Sequence, residues 1–229
     1  YQLPFGVIGI AIGVVLLPEL TRVLAAGRDE EGADLMDRSV EFALLLILPS
    51  AVGLFVLADP ITALLYERGA FTRDTTLAVA DAIQWFAIGL PAFMGIKIFT
   101  PAFFARQDTR TPMWLAGLNA VLNIVLSLAL FPTFGHVGIA MATALSAWVN
   151  TIALVLILSR RGLYSPKPFA LRRIAFIIWG SVLLAGIAVG AQYGFADTML
   201  DGGLILRLGS IAAVIGGAAA AYFAFLHFT

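Results

Sequence analysis

The 229-residue sequence has no cysteine, which excludes disulfides, thiol nucleophiles and cysteine-based metal sites. Charge is scarce as well. Charged residues make up 12%, about half the ordinary share of a soluble domain, so the chain cannot cover a water-facing surface with them. Lys and Arg balance Asp and Glu at 14 each, and no basic face is available for nucleic acid. The two histidines, His136 and His227, stand too far apart to form a metal motif together. The sequence shows no glycine-rich phosphate loop, no Ser-His-Asp set and no paired carboxylates at hydrolytic spacing, which argues against an enzyme. The chain starts at Tyr1 with an apolar stretch already under way by Phe5 and without the basic region or cleavage pattern of a signal peptide. That start reads as part of a longer chain.

What remains is apolar: 61% of residues are hydrophobic. About 20 mainly apolar residues cross the hydrocarbon of a bilayer as a helix. Seven stretches meet that requirement, at 3–24, 40–57, 77–99, 112–131, 137–158, 174–193 and 204–228. The expected fold class is therefore all-α and membrane-integral, with about seven transmembrane helices. The connectors carry most of the charge. Those after the first, third and fifth stretches hold Arg22, Arg28, Arg38, Arg106, Arg110, Arg160, Arg161, Lys167, Arg172 and Arg173. The opposite set holds Arg68 and Arg73, with Arg207 near the start of the last helix. Such a bias places the basic connectors and the C-terminus in the cytoplasm.

Pro18, Pro49, Pro91 and Pro101 fall inside the apolar stretches, where each removes a backbone hydrogen bond and bends its helix. Neighbouring groups must then satisfy the freed carbonyls. Several such bends favour a transporter over a simple anchor. Gly9 with Gly13, and Gly186 with Gly190, have the spacing that lets helices approach closely.

Polar groups at membrane depth are costly and point to function. Lys97 is the foremost of them, late in the third stretch within an apolar run, where its ammonium calls for a watery cavity or an anion. The competing reading is snorkelling to the interface. Asn119 and Asn123, four residues apart, share one face of the fourth helix, and Thr143 lies mid-way along the antiparallel fifth. Two amide oxygens, a hydroxyl and a backbone carbonyl suit a hard cation such as sodium. The same residues equally suit a hydrogen bond between the two helices.

Four blocks resemble a known family. LPFGVIGIAIGVVLLPEL (3–20), LLYERGAF (64–71), PAFFARQDTRTP (101–112) and HVGIAMAT (136–143) occur in order and are similar to patterns of the lipid II flippases, MurJ or MviN, of the multidrug/oligosaccharidyl-lipid/polysaccharide exporter superfamily. The resemblance implies fourteen helices in two six-helix lobes with an added C-terminal pair, of which this chain would be the eighth to fourteenth. It implies a C-lobe bundle of five helices at 1–160, a basic cytoplasmic linker at 161–173, and a two-helix hairpin at 174–229 that grooves the undecaprenyl tail. The function implied is alternating-access transfer of the lipid-linked peptidoglycan precursor across the bacterial inner membrane, with membrane lipids and the first lobe of the same chain as partners. Lys97 corresponds to a cavity lysine of the family and would contact the pyrophosphate. The family's essential arginines would lie upstream of Tyr1. Asn119, Asn123, Thr143 and the Ile139 carbonyl fall where two helices of a family sodium site are expected, with Asn123 at a position the family fills with aspartate. Rival readings are another exporter of the superfamily, for O-antigen or drugs, and a non-transporting scaffold for cell-wall enzymes. The exporters have twelve helices, so the last apolar stretch argues against them.

Overall fold

The computed structural model describes residues 2–200 and 203–227, with the side chains of 195–200 excepted. Tyr1 and Phe228, the last residue of the expected seventh span, lie outside the described residues. Eight helices follow one another: α1 (Gln2–Ala25), α2 (Asp29–Val56), α3 (Ala58–Tyr66), α4 (Arg73–Phe104), α5 (Arg110–Phe134), α6 (His136–Arg160), α7 (Pro168–Leu200) and α8 (Leu204–His227). All but α3 are long and apolar enough to cross a membrane. The protein is an all-α integral membrane protein.

The helices outrun the apolar stretches that announce them. α2 begins eleven residues before position 40, because Asp29, Glu30 and Glu31 favour its first turn through the helix dipole. α4 likewise starts at Arg73 and continues through Phe104. Between α6 and α7 the backbone is non-helical only over 161–167, since Pro168 opens α7 where a missing N–H costs nothing. Five spanning helices precede residue 161, and the short α3 is added to them. Its nine residues are too few to span, and they fall in the gap between the apolar stretches at 40–57 and 77–99. Arg73 pins it, donating to both carboxylate oxygens of Asp59 at 2.6 and 2.7 Å and reaching Glu67 at 3.5 Å.

One apolar core joins α1, α2, α4 and α6, with Leu20, Met36, Ile47, Leu90, Ile98 and Leu158 among its buried members. α5 packs against α6, and α7 against α2 and α8. Gly135, at φ 56°, makes the single-residue connection from α5 to α6. Gly138 then lets α6 lie directly on the Leu130 backbone, which a Cβ would meet at 2.8 Å.

The bent helices are completed from outside. Pro49 cannot donate to the Leu45 carbonyl one turn earlier. That carbonyl accepts from the Tyr222 hydroxyl of α8 at 2.8 Å. Around Pro91, α6 supplies Trp148 Nε1 to the Ile88 carbonyl at 3.0 Å and Thr151 Oγ1 to the Ala92 carbonyl at 2.6 Å. The last carbonyls of α2 are met the same way. Gln84 donates to Phe55 and Gln192 to Val56, at 3.2 and 2.6 Å. In a bilayer, where water is absent, a carbonyl such as that of Leu45, left without a donor by its own helix, would otherwise go unpaired. The bonds to Ile88 and Ala92 tie α6 to α4 beside the bend.

Candidate functional site

Three places along the bundle hold the residues singled out in the sequence. Lys97 sits on α4 seven residues before its end, about 10 Å along the axis. Its side chain is exposed on the flank between α1 and α4. The ammonium lies 5.8 Å from the Phe5 ring centroid, and its stem passes over Gly9, where a Cβ would come within 3.8 Å of Cγ. No carboxylate pairs with it among the described residues. A cation held on an aromatic face with no counter-ion can take an anion at little cost.

The second place is a polar seam between α5 and α6. Asn123 Nδ2 donates to Thr143 Oγ1 at 3.1 Å and to Ser146 Oγ at 3.3 Å. Thr143 Oγ1 in turn donates to the Ile139 carbonyl at 2.9 Å. The structure thus brings Asn123, Thr143 and Ile139 into one cluster. Asn119 lies a turn away with its Oδ1 buried and without a protein donor. Ser146 went unnoticed in the sequence, although its spacing from Thr143 puts it on the same face. Asn150 Oδ1 and Ser127 Oγ are also buried without partners. Three His, Cys, Asp or Glu residues nowhere gather among the described residues, so a transition-metal site is not formed there. The seam's amide, hydroxyl and carbonyl oxygens are the donors that a hard monovalent cation takes, and the unpaired Asn119 oxygen fits that role.

The third place is a groove of about 470 Å³ whose walls come from five helices. Pro4 of α1, Leu46 and Pro49 of α2, Leu184 of α7, and Val214 and Phe223 of α8 represent its lining, which is almost wholly apolar. Such a surface accepts a hydrocarbon chain and offers nothing to an ion.

The end of the bundle carrying the basic connectors is tied together. Asp37 of α2, only 6% exposed, accepts from the Tyr164 hydroxyl at 2.7 Å and the Lys167 amide at 3.1 Å. Burial, then the bond to Asp37, drive the Tyr164 hydroxyl well above its ordinary pKa. Lys167 also pairs with Asp34, which raises its pKa. Arg106 reaches the Ala102 and Leu163 carbonyls at 3.0 and 3.3 Å, and its burial lowers its pKa. Asp108 takes the Thr111 hydroxyl and amide and the Arg161 guanidinium, at 2.7, 3.0 and 2.7 Å. Those donors hold its carboxyl at about 2, well below the usual range.

Known proteins share this arrangement of helices. The family model for lipid II flippase MurJ matches residues 1–208. The chain belongs to the MurJ family. Among its curated relatives, the probable lipid II flippase MurJ of Rhizobium meliloti is 42% identical over 225 residues, covering 98% of this chain and 42% of the relative. The Rhizobium tropici counterpart is 41% identical over 224 residues, with 97% and 42% covered. The lipid II flippase MurJ of Burkholderia cenocepacia is 32% identical across 98% of this chain and 44% of its own. The chain thus spans about two fifths of these relatives' length. A solved structure titled lipid II flippase MurJ, inward closed conformation, superposes with a TM-score of 0.75 over 97% of this chain and 45% of that one. At 20% identity that likeness shows the fold.

Proposed function

We propose that this chain is the C-terminal part of a flippase that moves a lipid-linked peptidoglycan precursor, lipid II, across the bacterial inner membrane by alternating access. The match to the MurJ family over residues 1–208 carries this reading. The work is translocation, with no covalent bond made or broken. Lys97 receives the pyrophosphate of the head group, while the apolar groove beside α7 and α8 keeps the polyprenyl tail in a bilayer-like setting. In this reading the surface between α1 and α4 that exposes Lys97 turns toward the rest of the protein, which in the relatives is the longer share. The excess of Lys and Arg in the connectors at one end supports placing that end, and the C-terminus, in the cytoplasm.

Asn119, Asn123, Thr143 and the Ile139 carbonyl would hold a sodium ion. A bound ion there supplies a fixed positive charge shared by oxygens of two helices. The residues themselves keep α5 and α6 in register through the Asn123–Thr143 bond.

The test is Lys97→Ala in the full-length parent. Cells depleted of their own flippase are expected to fail to grow on the variant, although it reaches the membrane in normal amount. Normal growth would remove Lys97 from the mechanism.

A further inference from the structure

At the end of the bundle that carries the basic connectors, α2, α7 and α8 line an open cavity of about 670 Å³. It is separate from both the apolar groove and Lys97, and the transport reading does not use it. α2 contributes Arg38 and Glu41 to its wall, and α7 contributes Arg172 and Arg173. Three guanidiniums against one carboxylate leave an excess of positive charge.

These arginines are held ready. Arg173 donates to Glu41 at 3.0 Å and lies with its guanidinium carbon 4.2 Å from the Phe169 ring centroid. Arg172 stands 5.7 Å from the Phe176 centroid. Arg38 has no carboxylate within ion-pair distance among the described residues. Stacked guanidiniums lose little freedom on binding, and their fork of N–H donors matches phosphate oxygens. The rest of the lining, with Phe42, Leu45 and Ile177, is apolar. A free anion gains nothing from those side chains, whereas a lipid covers them with its glycerol and upper acyl carbons.

We propose that this cavity is a binding site for an anionic glycerophospholipid, its phosphate set among Arg38, Arg172 and Arg173 and its chains leaving along Phe42 and Ile177. A basic pocket between transmembrane helices at headgroup level is the setting in which such lipids are recognised. The occupant is a lipid of the bilayer, distinct from any lipid being transported.

The test uses the purified full-length protein in detergent and native mass spectrometry with phosphatidylglycerol, phosphatidylcholine or inorganic phosphate added. Phosphatidylglycerol adducts are expected to exceed phosphatidylcholine adducts and to survive millimolar phosphate. Arg38→Gln with Arg172→Gln should weaken phosphatidylglycerol binding about 25-fold, since each guanidinium beside an anionic headgroup contributes about fivefold. Both side chains are exposed, so the variant is expected to melt as the parent does. Arg110→Gln with Arg160→Gln, which leaves the cavity intact, should keep the parent's affinity. Equal adducts of the two lipids, displacement by phosphate, an unchanged affinity in the first variant or an equal loss in the second would each overturn the proposal. The readout is lipid retention, so a failure here leaves the flippase reading standing, and the Lys97 test leaves this one standing.

Discussion

Tyr222 and Pro49 form a pair whose coupling can be measured. Tyr222 is fully buried, and its hydroxyl donates to the Leu45 carbonyl, the group that Pro49 leaves without a helical partner. Tyr222→Phe removes the donor and keeps the ring. A buried carbonyl left unpaired costs about 1–3 kcal/mol. Hydrogen bonds between membrane helices measure lower, about 0.6 kcal/mol on average and about 1.7 at most, because the unfolded chain in a membrane also finds partners. About 1 kcal/mol is therefore expected for this substitution. Pro49→Ala restores an N–H one turn beyond Leu45, which can close the ordinary helical bond. In that background Tyr222→Phe should cost next to nothing. Equilibrium unfolding of the full-length protein and its three variants in mixed micelles gives the coupling directly. Additivity within about 0.3 kcal/mol, the scatter of independent sites, would refute the pairing of hydroxyl with orphaned carbonyl.

Further substitutions probe other contacts. Gly95→Ala drives a methyl into Thr151, so it should destabilise by about 1–3 kcal/mol, and Thr151→Ala should relieve part of that loss in thermal melts. Because the Asp108 pKa is depressed, its bonds to Thr111 and Arg161 contribute stability that is present above about pH 4 and is lost as pH falls through about 2. Asp108→Asn should therefore melt lower at neutral pH and lose that acid step, followed by the fluorescence of Trp114 on α5; identical acid curves would count against it. If sodium occupies the α5–α6 seam, replacing potassium by sodium should raise the melting temperature of the full-length protein, and Asn119→Leu should abolish the rise.

Hydropathy was enough to read the seven spans, because crossing a bilayer leaves a run of about 20 apolar residues that nothing else in the sequence imitates. Their ends were not legible in the same way. The first turns of α2 and α4 carry Asp29, Glu30 and Glu31 in one and Asp74 in the other, which favour a helix start through the dipole, and hydropathy does not register that. α3 was invisible because Ala58–Tyr66 is too short to span and is held by an arginine beyond it. The Asn123–Thr143 bond was foreseeable, since a tight connection forces α5 and α6 to run antiparallel in near-fixed register. Tyr222 and Gln192 gave no comparable signal. Their partners lie 177 and 136 residues away, and only the packing of α7 and α8 on α2 brings them together. Lys97 could be placed at its depth from the sequence, but its neighbours Phe5 and Gly9 depend on how α1 meets α4.

The short stretch between α6 and α7 has a mechanical consequence. With Tyr164 and Lys167 both fastened to the Asp37 carboxylate, and Arg173 to Glu41 one turn further on, the last two helices are bolted to α2 and do not hang from a tether. Any tilt of α2 then carries the hairpin along, and those walls of the apolar groove that α2, α7 and α8 supply keep their spacing while the three helices turn together.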